Sequence, residues 1–66
     1  MLVIKLTMME GRTPEQKEAL IQRLSEAAAG ELGYPPEEIR MVIYEVSRQE
    51  WGMGGKSVAR RESESG

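Results

Sequence analysis

The chain contains no cysteine, no histidine, no phenylalanine and, read letter by letter, no aspartate. Without Cys or His there is no zinc site of the usual kind, no thiol nucleophile, no disulfide and no imidazole base. No cofactor is expected. Acid–base work falls to Glu, Lys, Tyr or an α-amino group. No apolar run approaches the ~20 residues of a membrane span, and no charged-then-apolar leader precedes a cleavage site. The expectation is a soluble, cytoplasmic protein with no membrane partner. The six Arg are scattered rather than gathered in a basic stripe interleaved with aromatics, and the net charge is −2, so nucleic acid is not an expected partner either.

What is present is ordinary for a globular chain. Counting Gly with the apolar residues and leaving Tyr out gives 31 of 66, about 47%. A chain this short buries only about 60% of its unfolded surface and is marginal alone. Small scaffolds are usually held by a disulfide, a metal or a partner subunit. The composition removes the first and gives no support for the second, so self-association is expected.

Leu2, Ile4, Leu6 and Met8 alternate with their neighbours at period two, which predicts a half-buried strand. Glu10-Gly11-Arg12 breaks it as a turn. Thr13-Pro14-Glu15-Gln16 then reads as a helix start with a capping box and a proline in the first turn. The helix is predicted over residues 14–32, with Leu20, Leu24, Ala27, Ala28 and Leu32 inward, Ile21 at the stripe's edge, and Lys17 among the residues facing water. Gly33 stands where a helix-terminating glycine belongs. Residues 34–38, with two prolines, read as a turn with room for one helical turn. Arg40 to Ser47, rich in β-branched and aromatic residues, predicts a second strand. Residues 48–55 form a glycine-rich loop carrying the only Trp, and the polar residues 56–66 read as a tail, disordered at its end unless a neighbouring subunit orders it. Strand, crossover helix and strand make a βαβ unit with parallel strands. Its open face and edges need other copies of the fold.

The run Glu10-Gly11-Arg12-Thr13-Pro14-Glu15-Gln16-Lys17, the strand opening with Arg40, and Trp51-Gly52-Met53-Gly54-Gly55 together resemble the 4-oxalocrotonate tautomerase family, over nearly the whole chain to about Gly55. The resemblance implies an α/β fold: a small βαβ domain with a C-terminal hairpin over residues 1–55, followed by the tail at 56–66. Two such chains form a four-stranded sheet as a dimer, and three dimers form a hexamer. It also implies an isomerase reaction, in which a proton moves between carbons of an unsaturated keto/enol carboxylate. The base of such enzymes is an amino-terminal proline. Carried over, Arg12 and Arg40 are the arginines that bind substrate carboxylates, Arg40 entering a neighbour's site. Trp51 is the pocket aromatic, and the Met9 backbone completes the substrate-binding set. Arginine's planar fork of donors suits bidentate carboxylate binding, and an apolar wall strengthens that attraction. Read from the residues alone, Arg12 also fits an ion-pair partner of Glu10 or Glu15, Arg40 a structural strand residue, and Trp51 an interface filler.

One position departs from the family. Leu2 stands where the proline should be, and a bulky second residue is expected to block removal of Met1, which leaves the Met1 α-amine as the candidate base. Glu45 and Tyr44 read more simply as sheet residues than as replacement bases. Three arrangements follow. The chain forms a homo-hexamer with low or altered tautomerase activity through the Met1 amine; it is a partner subunit in a hetero-hexamer whose proline sits on a homologous chain; or it is a binding or structural pseudoenzyme.

Overall fold

The computed structural model describes residues 1–65. It runs β1 (Leu2–Met9), α1 (Pro14–Leu32), a 3₁₀ turn (Pro36–Glu38), β2 (Ile39–Val46), β3 (Gly52–Met53), β4 (Lys56–Ser57) and α2 (Val58–Ser65). β1 and β2 pair in parallel from Leu2 beside Ile39 to Met9 beside Val46. The alternation seen in the sequence therefore sorts onto two faces. Leu2, Ile4, Leu6 and Met8 of β1 share a face with Ile39, Met41, Ile43 and Glu45 of β2, and α1 covers that face. No helix among the described residues is long and apolar enough to cross a membrane.

α1 begins as its sequence dictates. The Thr13 side chain accepts from the Gln16 N–H at 3.1 Å, while the Thr13 N–H donates to Gln16 Oε1 at 3.0 Å. The capping box thus satisfies two backbone donors that the helix leaves without partners. Gly33 ends the helix at φ 74, a left-handed conformation that costs a side-chain-free residue nothing, and its N–H donates to the Ala29 carbonyl.

The inner stripe differs from expectation. Leu20, Ile21, Leu24 and Ala28 are half-buried, but Ala27 is exposed and Leu32 is 60% exposed. The stripe is rotated toward Ile21, which puts Ala27 beyond its flank. Nineteen helical residues also span about 27 Å at 1.5 Å each, longer than an eight-residue strand at about 23 Å, so the last turn overhangs the sheet. Lys17 is half-buried rather than solvated. Its stem lies over the sheet and its ammonium meets Glu45 Oε1 at 2.6 Å.

The C-terminal hairpin pairs Gly52 with Ser57 and Met53 with Lys56. Its turn residues Gly54 and Gly55 have φ 60 and 83, the paired positive values of a tight turn that matches strand twist. Residues 58–65, within the polar tail expected to be disordered at its end, are helical. Two backbone bonds anchor the start of α2, from the Val58 N–H to the Trp51 carbonyl at 2.8 Å and from the Ala59 N–H to the Arg48 carbonyl at 3.1 Å. Ser57 Oγ accepts from the Arg60 N–H, Glu64 pairs with both Lys56 and Arg60, and Glu62 pairs with Arg48. Charges that suggest only solvation when read along the chain are cross-links once helical spacing brings them together. Gly66 lies outside the described residues.

The molecule is spread out for its length. Its radius of gyration is 15.7 Å, whereas a compact chain of this size has about 11 Å. Its accessible surface is 5106 Å², against roughly 4,200 Å² for a folded monomer of this mass. Ile39, at 8% exposure, is the only buried residue among those described. Val3, Val42 and Tyr44 stand exposed on the sheet face away from α1.

Thr13→Ala removes one half of the capping box and should cost about 1 kcal/mol of stability. Urea unfolding at matched protomer concentration measures it, and an unchanged midpoint would refute the cap's contribution.

Candidate functional site

The parallel register separates the expected site residues into two groups. Leu2 pairs with Ile39 and Val3 with Arg40, so Met1, Leu2 and Arg40 lie at one end of the sheet. Met9 pairs with Val46, and Arg12 and Trp51 follow the two strands at the other end. Seven strand steps of about 3.3 Å put these ends roughly 23 Å apart. One chain therefore does not bring Arg40 to Arg12 across a single small substrate.

At the first end, Met1 is 77% exposed. Leu2 is half-buried in the row that faces α1, beside the most buried residue of the chain, and so acts as a core residue here. Arg40 is exposed on the open face and donates through Nη1 to the Glu37 carbonyl. That bond holds one terminal nitrogen of the guanidinium, and no other bond from it is formed among the described residues.

At the second end the residues line two hollows. The first, about 210 Å³, is bounded by Met8, Arg12, Gln16, Lys17 and Leu20 on the α1 side of the sheet. The second, about 230 Å³, is bounded by Thr7, Val46, Glu50, Trp51 and Gly52. Thr7 and Val46 belong to the open face, so Trp51 and Arg12 share an end of the sheet but not a cavity. The Met9 backbone closes this end of the ladder, and the next residue continues it, the Glu10 N–H donating to the Val46 carbonyl at 2.9 Å.

Four of the nine Lys and Arg are paired among the described residues, and Arg12 and Arg40 share the unpaired state with Lys5, Arg23 and Arg61. Lys17, Arg48, Lys56 and Arg60 each pair with a carboxylate. Among the described residues, Arg12 and Arg40 have no carboxylate partner, and the pairing of Arg12 with Glu10 or Glu15 that its sequence position permits does not form. A larger hollow of about 530 Å³ between the hairpin and α2 has the opposite character. Its Lys56 and Arg61 are offset by Glu62 and Glu64, which leaves no net attraction for an anion.

Neither weighed replacement base is placed for proton transfer. Tyr44 is 48% exposed on the open face, and Glu45 is held by Lys17. Glu50, which sequence reading passed over, touches the Trp51 hollow. Hydrogen bonds from the Ser47 side chain, and then from the Ser47 backbone, hold its carboxyl below the ordinary 4.5, against a smaller opposing effect of desolvation. That makes Glu50 a weaker base and a better loop brace. A glutamate three residues after a serine is the local signal that would have found it.

A family model described as tautomerase enzyme matches residues 2–61. A 2-hydroxymuconate tautomerase of Pseudomonas sp. (strain CF600) is 42% identical over 60 residues, covering 91% of this chain and 95% of that one. The crystal structure of a 4-oxalocrotonate tautomerase homologue from the tomaymycin biosynthetic pathway superposes with TM-score 0.88 at 39% identity, covering 92% of this chain and 94% of the other. The chain belongs to the 4-oxalocrotonate tautomerase family. A heterohexamer 4-oxalocrotonate tautomerase from Chloroflexus aurantiacus is also similar, with TM-score 0.84 and 46% identity over 89% of this chain and 95% of that one. The tautomerase-like βαβ fold anticipated from the sequence is the observed one.

The Glu50 brace carries a pH dependence. Its folded pKa lies below the ordinary value, so the ionised form stabilises the fold above that value, and the contribution fades as pH falls through the folded pKa. Glu50→Gln should therefore be less stable than the wild type near neutrality, with the gap closing in acid well below 4.5. Urea midpoints across that range test this, and a gap that stays constant would count against it.

Proposed function

We propose that this chain is a tautomerase subunit whose arginines bind an unsaturated keto/enol carboxylate in a site shared between copies of the fold. The observation that carries the reading is that Arg12 and Arg40, the two arginines of the family pattern, have no carboxylate partner among the described residues and lie at opposite ends of the sheet. A guanidinium without a counter-charge is available to a ligand, and two of them about 23 Å apart in one chain serve one small substrate only if a second copy supplies one. Trp51 supplies an apolar wall and the Met9 backbone the remaining contact. A homo-hexamer, built from dimers with four-stranded sheets, is the assembly that satisfies both the open sheet face and the divided site.

Leu2 occupies the position of the family's proline, so activity is low or altered, and the base is the Met1 α-amine. A second reading is supported by the heterohexameric relative. In it this chain is a non-catalytic subunit that lends arginines to a site whose proline is carried by a homologous chain.

The test is ketonisation of 2-hydroxymuconate by the purified chain, followed by ultraviolet absorbance, with an intact mass to establish whether Met1 is present. Slow turnover above the buffer rate, abolished by acetylation of the amine, is expected. Arg12→Ala and Arg40→Ala should each lower kcat/KM by roughly ten- to hundredfold, the scale of a lost charged hydrogen bond. Activity that appears only on co-expression with a proline-bearing chain selects the second reading. Absence of both turnover and carboxylate binding, alone and in mixtures, refutes the proposal.

A further inference from the structure

The cavity beside Arg12 is also lined by a second cation, Lys17, which ends the family-like run but carries no binding role in the proposed function. Met8 and Leu20 give it an apolar floor, while Arg12, Gln16 and Lys17 bring donors to its rim. Gln16 Oε1 is already engaged by the Thr13 N–H, which leaves its amide nitrogen as the end available to the cavity. Lys17 Nζ sits 2.6 Å from Glu45 Oε1, and Glu45 is the sheet neighbour of Met8. An ammonium has three donors, so one contact to Glu45 leaves two.

From this geometry we propose that Lys17 is a second carboxylate-binding residue of this site, and that Glu45 is a positioning residue that sets how much positive charge the site presents. The inference rests on the reading of Arg12 as a ligand-binding residue. With Glu45 ionised, the two cations and one anion leave a single net positive charge, matched to one carboxylate bridging Arg12 and Lys17. The ligand is a conjugated carboxylic acid whose carbon chain lies on Met8 and Leu20 and whose far end projects from the cavity. Glu45 both holds the ammonium at the rim and weakens its pull, which favours a single carboxylate over a denser anion.

Calorimetric titration of the full-length chain with trans,trans-muconate and with sorbate tests this, because the two share a conjugated diene and differ by one carboxylate. Lys17→Met should weaken binding of both by roughly three- to tenfold, the range of an ordinary net hydrogen bond, because Glu45 offsets part of the ammonium's charge. Glu45→Gln keeps a hydrogen-bond acceptor for Lys17 but removes its charge. It should tighten binding by roughly two- to fivefold, more for the dianionic muconate than for sorbate. Lys17→Arg should retain most of the affinity. The opposite signs are what an ion pair that merely ties α1 to the sheet cannot produce, since losing either partner would then weaken binding together with thermal stability. That outcome overturns the proposal. If neither substitution moves Kd while Arg12→Ala removes binding, the proposal fails and the reading of Arg12 stands. If Arg12→Ala leaves binding intact, or the unsubstituted chain binds neither acid, that reading falls and the proposal with it.

Discussion

A two-stranded parallel sheet has two faces, and this chain has one crossover helix to cover them. α1 occupies one face, and the hairpin meets the other only at its Thr7–Val46 end, so Val3, Val42 and Tyr44 remain exposed. The same parallel pairing forces the chain to return the full length of the sheet before starting β2. It therefore puts the beginning of both strands at one end and the loops that follow them at the other. The shortage of cover and the separation of Arg40 from Arg12 are two results of one topological choice. Under the proposed function, partner copies answer both, covering the open face and supplying the second arginine.

Electrostatics then divides the chain into paired and unpaired regions. The C-terminal segment has its cations matched largely by nearby carboxylates, and exposed pairs of that kind contribute little stability individually. Their effect is to place α2 against the loop that carries Trp51, with the Val58 and Ala59 backbone bonds setting the register. Lys17 lies at the boundary between the regions. It is paired with Glu45, yet it also lines the cavity that Arg12 lines.

Much of this was legible from the residues. Period-two alternation located β1, the capping box and Gly33 fixed both ends of α1, and two prolines enforced the break before β2. The parts that were not legible depend on contacts across the sequence. The rotation of the α1 stripe toward Ile21 follows from how the helix seats on the sheet, and the overhang of Leu32 follows from strand length, neither of which the helical period contains. Lys17 reads as a solvated residue until the fold brings Glu45 beneath it, 28 positions away. The helix in the tail was not legible, because its stabilising partners, Arg48 and the Trp51 carbonyl, lie in a different loop. For the site, the residue types were visible in the motifs, but their division between two ends of the sheet needed the register.

Leu2 shows how packing and chemistry compete for one position. Its side chain belongs to the apolar row of β1 and sits beside Ile39, where hydrophobic contact is densest in an otherwise thinly buried chain. A residue that completes that row gains burial, on the scale of about 25 cal/mol per Å² of apolar surface. In a chain that begins at Met1, the Leu2 nitrogen is an amide and has no basic lone pair. Under the proposed function, the proton acceptor at this end of the sheet is the Met1 amine, one residue further out on an exposed strand end, or a group on another chain. The first choice places the base on a residue that is 77% exposed in the single chain. The second requires only that a neighbouring copy present its own strand end to Arg12 or Arg40. A fold this similar to named tautomerases does not by itself fix the activity.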